Sequence, residues 1–188
     1  MADLPSLAGL RLCWRDIGPD RASLNVVALH AWGAWGLWFE QLAAAAIDAH
    51  GGSEGSIRLL LPDLIGHGRS DKPKREQAHT IAWHAQVLCE WMDRLGLSRV
   101  LLVAAPGATE LAEVVGSASR GRVLATIGCE PEPSGGESEG EMVRWRAPFP
   151  DGGHEAACRA FGRPKPSRSI GATAARQLLQ KAMGYFPP

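Results

Sequence analysis

Four short apolar runs constrain the fold most: residues 24–30 (LNVVALH), 57–61 (IRLLL), 100–105 (VLLVAA) and 122–128 (RVLATIG). Each is too short for a buried helix and reads as a buried strand. An earlier strand is expected over 9–16, with Gly18-Pro19-Asp20 as the turn after it, and Pro62 is expected to stop the 57–61 strand. Helical stretches separate the runs. Residues 39–50 are alanine-rich. Thr80 is an N-cap candidate for a helix with Trp83, Val87, Leu88, Trp91 and Leu95 on one face and Gly96 just past its end. Ala108, Leu111, Ala112 and Val115 mark another helix, and residues 172–183 a last one. Strands alternating with helices predict the α/β class, with a mostly parallel sheet flanked by helices.

At 188 residues the chain is long enough for one sizeable core. Its formal net charge of zero gives no footprint for nucleic acid or an anionic membrane surface, and leaves little repulsion against self-association. Cys13, Cys89, Cys129 and Cys158 form no Cys-x-x-Cys pair and have no zinc-ligand spacing, so reduced thiols are expected and neither metal nor cofactor. No run nears the roughly 20 apolar residues of a membrane span. The first ten residues do not read as a signal peptide. A cytoplasmic location is the default expectation.

Beyond Cys129 the character changes. Glu130, Glu132, Glu137, Glu139 and Glu141 lie among Pro, Ser and Gly, with no apolar periodicity. The division expected is therefore a core over 1–129, an acidic linker over 130–143 and a further segment over 144–188.

Several segments come in the order of an α/β-hydrolase. LHAWGAW (29–35) resembles the His-Gly oxyanion loop after that fold's third strand. LPDLIGHGRSDKP (61–73) resembles the loop after the fourth strand, and VLLVAAPGATELAEVV (100–115) falls where strand, nucleophile elbow and helix belong. RAPFPDGGHEAACRAF (146–161) resembles the cap segment of haloalkane dehalogenases, and WHAQVLCEWMDRLGL (83–97) resembles their helix before the nucleophile strand. The resemblance implies a partial α/β-hydrolase fold with a reduced cap and the last strands missing. It also implies the family's chemistry, hydrolysis of carbon–halogen bonds through an aspartyl ester.

That chemistry needs a nucleophile on a sharp strand-to-helix turn, a histidine and an orienting acid. Ungapped, Ala104-Ala105-Pro106-Gly107-Ala108 falls on the G-x-nucleophile-x-G pattern. Proline offers no nucleophile and no N–H, and its φ stays near −65°. Gly107 replaces the Trp that follows the family's aspartate, and can take the unusual backbone angles instead. The chain is read as stopping before the family's acid and histidine, at Phe186-Pro187-Pro188. Residues 51–55 and 136–140 match G-x-S-x-G literally, but neither follows a buried strand, so both read as hydrophilic loops. His30 and His67 are expected to shape the pocket floor, His84 to serve the helix surface or core, and Asp63 and Asp71 to hold a turn. His154 lies in the cap-like segment and is not the family's catalytic histidine. Trp32 and Gly107 remain as a vestigial oxyanion and halide pocket, with Trp32 expected to cap a shrunken cavity.

Three functions are therefore weighed. The first is a catalytically inactive, truncated relative whose pocket takes at most a small hydrophobic or halogenated ligand. The second is an interaction protein that self-associates through an exposed 122–128 sheet edge and a Trp32, Trp35 and Trp38 patch. The third is a hydrolase of unfamiliar layout using Cys129.

Overall fold

In the order β1-β3-β2-β4-β5, five strands form one sheet in the computed structural model, which describes residues 1–49, 57–131, 139–162 and 169–185. The strands are β1 (Cys13–Ile17), β2 (Leu24–Leu29), β3 (Ile57–Asp63), β4 (Val100–Ala104) and β5 (Val123–Gly128). Only β1 runs antiparallel to its neighbour β3. The β3–β2, β2–β4 and β4–β5 pairs are parallel. Helices α1 (Glu40–Ala49), α2 (Ile81–Arg94) and α3 (Thr109–Ala118) make the crossovers, and α4 (Glu139–Arg146), α5 (Ala156–Ala160) and α6 (Ala172–Met183) follow β5.

The central strands read as unbroken apolar runs because both faces are covered. Every residue of β2 and of β4 is buried. Val26, Ala28, Leu59, Leu61, Leu101 and Val103 point to the layer built by α1 and α6. Val27, Leu29, Leu60, Leu102 and Ala104 point to the layer of α2, α3 and the N-terminal segment. The period-2 alternation of a strand thus feeds two cores. Thr80 caps α2 as its sequence predicts: its side chain accepts from the Trp83 N–H, and Gly96 just past the end holds φ +64°.

Some expectations shift. The first strand begins at Cys13 rather than residue 9, after a 3-10 turn at Pro5–Leu7. Pro62 does not stop β3, which runs to Asp63. The ladder to β2 ends at Leu60, so Pro62 faces only β1, and its missing N–H costs nothing on the β2 side. The acidic segment expected as linker over 130–143 turns helical at Glu139, while its residues 132–138 lie outside the described residues. The 144–188 stretch is not one cap-like unit. Its α6 packs on α1 and joins the core through Ala175, Leu178, Leu179 and Ala182. Among the described residues β5 pairs only with β4. The G-x-S-x-G match at 51–55, His50 and residues 186–188 also lie outside the described residues.

Candidate functional site

Parallel strands bring their carboxyl ends to one edge of the sheet, and the loops after β2, β3 and β4 meet there, the usual place for a site in this architecture. The loop after β3 is clamped by Asp63, which is 0% exposed. Its carboxylate accepts from Gly36 N–H at 2.8 Å, Arg69 N–H at 2.9 Å and Arg69 Nε at 2.9 Å. A Cβ on Gly68, at φ +49°, would run into that carboxylate, so the glycine is a packing requirement. Asp71 accepts from the Arg11 N–H at 2.8 Å and pairs with the Arg11 side chain. Both aspartates hold turns, as their motif suggests.

Four histidines make the floor of the site. His30 and His67 are 0% exposed, His84 1% and His79 4%. Hydrogen bonding fixes their tautomers. His30 Nε2 accepts from Leu64 N–H at 2.9 Å, so its proton is on Nδ1, 2.9 Å from the Ala31 carbonyl. His67 Nε2 accepts from Gly33 N–H at 3.1 Å, with Nδ1 toward the Ile65 carbonyl. His79 Nε2 donates to the Pro73 carbonyl at 3.0 Å, leaving Nδ1 to accept from His84 Nε2 at 3.4 Å. His84 Nδ1 is then a buried acceptor without a partner. Burial is the main force holding all four below the ordinary histidine range, with His84 pushed down to about 3. The floor is neutral, and of its eight ring nitrogens all but His84 Nδ1 are committed to hydrogen bonds. His84 belongs to the core, and His154 lies apart in the cap-like segment, paired with Asp151 at 2.7 Å.

Trp32 is 4% exposed and covered from above. Phe161 stacks on it with ring centroids 3.7 Å apart and planes 17° apart. His67 and His84 flank it at 5.7 and 5.1 Å. The indole is packed between Phe161 and the floor histidines. Trp38 is 0% exposed and Trp35 is half-buried, so these tryptophans serve the core and do not make the surface patch that an interaction protein would present. The Phe161 stack and the His79–His84 pair are not evident from sequence. The two histidines are five positions apart across a helix start, and no periodicity marks such a pair.

The turn after β4 lies at the carboxyl edge of the sheet beside Trp32. Ala108 N–H donates to the Ala105 carbonyl at 2.9 Å, closing a four-residue turn. Pro106 holds its second position and Gly107, at φ +86°, its third. Proline followed by a positive-φ glycine is the type II pattern. The left-handed backbone angle of this turn lies at Gly107, directly after Pro106. Trp32 and Gly107 are brought together: a Cβ on Gly107 would lie 3.9 Å from Trp32 Cδ1. Neither residue's backbone N–H makes a hydrogen bond to a described residue. Cys129 follows β5 and is buried. It is 8% exposed, its thiol faces the Ala104 carbonyl at 3.4 Å, and burial pushes its pKa up to about 12. Among the described residues no His, Cys, Asp and Glu group could hold a metal ion, and no helix is long and apolar enough to cross a membrane.

No family model matches the chain. A haloalkane dehalogenase of Mycolicibacterium paratuberculosis is 34% identical over 50% of this chain and 29% of its own length. One of Mycobacterium marinum is 29% identical over 94% of this chain and 69% of its own length. The chain thus spans between about a third and two thirds of these relatives. Among solved structures, the tetrameric haloalkane dehalogenase DpaA of Paraglaciecola agarilytica superposes with a TM-score of 0.73 at 20% identity, covering 98% of this chain and 70% of that one. The haloalkane dehalogenase DatA of Agrobacterium tumefaciens gives 0.63 at 19% identity, over 93% of this chain and 70% of that one. The chain is thus similar in sequence to haloalkane dehalogenases, and its fold is a partial α/β-hydrolase fold.

Proposed function

We propose that this chain is a non-catalytic member of the dehalogenase-like lineage, keeping the pocket floor and part of the oxyanion corner without the reaction. One observation carries this reading: a proline-glycine type II turn occupies the elbow. Displacement of halide needs a carboxylate lone pair at the elbow, and Pro106 has no such atom. The floor histidines are neutral, but each is spent on backbone or on another histidine. What remains at the Trp32–Gly107 corner suits a small apolar or halogenated ligand held weakly by backbone N–H groups. Intact-mass spectrometry of purified protein incubated with 1-bromobutane tests this. No butyl adduct should form on the peptide carrying residues 100–115. An acid-stable, base-labile adduct there would overturn the reading.

A second reading, an interaction protein, is favoured by β5. It has one strand partner among the described residues, and Leu124 on its outer face is 41% exposed. An uncharged edge of this kind invites strand addition. Light scattering over a concentration series tests it, and a monomer throughout would count against it.

A further inference from the structure

The cap-like segment sits on the histidine floor through an uncharged boundary. Phe149 meets His67 edge-on at 5.9 Å, and Cys158 Sγ lies 3.9 Å from His67 Nε2. Phe161 stacks on Trp32 and meets His84 at 5.7 Å. Ala157 closes over Gly66 beside His79, so tightly that a methyl on Gly66 would strike both. Among the described residues the charged side chains of this segment are exposed or half-buried. Arg159 pairs with Glu76, Asp151 with His154, Lys74 runs under Gly153, and Glu155 stands at the N-cap position of α5. We propose that residues 149–161 form a proton-sensitive cover, seated on the neutral histidine floor and released from it in mild acid while the sheet stays folded. The proposal is independent of whether the elbow is catalytic.

Each added proton would land on an atom the seated state needs bare or accepting. On His84 it goes to Nδ1, which has no partner and is ringed by Trp32, Trp83, His79 and Phe161. On His79 it goes to Nδ1, turning the hydrogen bond from His84 into two N–H groups face to face. On His67 it goes to Nε2, against Gly33 N–H and beside Cys158. Only His30 feels a carboxylate, Asp63; the charges felt by His67 and His84 are those of other histidines, and for His79 burial opposes only the Pro73 carbonyl. The sign follows. Burial holds the four pKa values down, so the seated form binds fewer protons than the released form. Seating is complete above about pH 6.5 and weakens as pH falls toward about 3, the value for His84.

Hydrogen–deuterium exchange on the full chain at pH 7.5 and 5.0, corrected for intrinsic exchange chemistry, tests the proposal. Peptides over 149–161 should gain in opening at pH 5.0 relative to pH 7.5. Peptides over β2 and β4 should hold their protection. No gain at 149–161, or an equal gain everywhere, would overturn it. His84→Phe should remove most of the gain. Because that variant can fail to fold, His154→Gln provides a second arm: it should keep the full gain, and its loss there would assign the effect to the Asp151–His154 pair and overturn the proposal.

Discussion

Asp63→Asn isolates the clamp that shapes the site. The carboxylate is wholly buried and takes three donors, Gly36 N–H on one oxygen and the Arg69 N–H and Nε on the other. An amide of the same shape offers one oxygen. If that oxygen keeps the Arg69 pair, the new NH2 faces Gly36 N–H, and a buried donor is left without an acceptor. An orphaned buried group costs about 1–3 kcal/mol, and the two surviving bonds lose their charge assistance, so the loss should be about 3 kcal/mol. Asp63→Ala orphans both backbone donors and should cost more, about 4 kcal/mol. Arg69→Ala should cost under about 1 kcal/mol, because the Arg69 side chain is 50% exposed and its pair is partly solvent-screened. Urea unfolding followed by tryptophan fluorescence gives these values as midpoint shifts at unchanged slope. An Asp63→Asn loss within about 0.5 kcal/mol of zero would refute the clamp, since surface substitutions fall in that range.

The elbow turn gives a second test: Gly107→Ala should cost about 1–2 kcal/mol from its left-handed backbone alone, as the nearest atom to the new methyl is at ordinary contact distance. Gly68→Ala should cost more in the same assay, because it adds a collision with Asp63. Cys129, its pKa raised to about 12 by burial, should resist iodoacetamide at pH 7.5 in the native protein and react fully in urea. Rapid native labelling mapped to Cys129 by peptide mass would revive the hydrolase of unfamiliar layout.

Much of the scaffold is legible in sequence for a physical reason. Strands buried on both faces must be apolar at every position, so 24–30, 57–61 and 100–105 stand out from their surroundings. The α2 stripe is legible because one helix face packs on the sheet, and its cap and terminal glycine bracket it. Pro62 misleads because local propensity cannot show that β3 has already parted from β2 at that point. The role of α6 is hidden because amphipathicity reveals that a helix packs, not against what. At the site, Pro106 and Gly107 are readable since their backbone preferences are local, and the turn follows from them. The histidine floor is not. His30, His67, His79 and His84 converge only once the loops after β2 and β3 and the first turn of α2 are brought to one sheet edge, and Phe161 comes to Trp32 across 129 residues of chain.

Halide release from purified protein, measured by ion chromatography over a panel of chloro-, bromo- and iodoalkanes beside a vector-only preparation, tests the central claim most directly. The type II turn at Pro106-Gly107 predicts no release above the vector control for any substrate. Release by the pure protein that is lost in a Trp32→Phe variant would show that chemistry proceeds in this pocket without a side chain at the elbow, and would contradict the account.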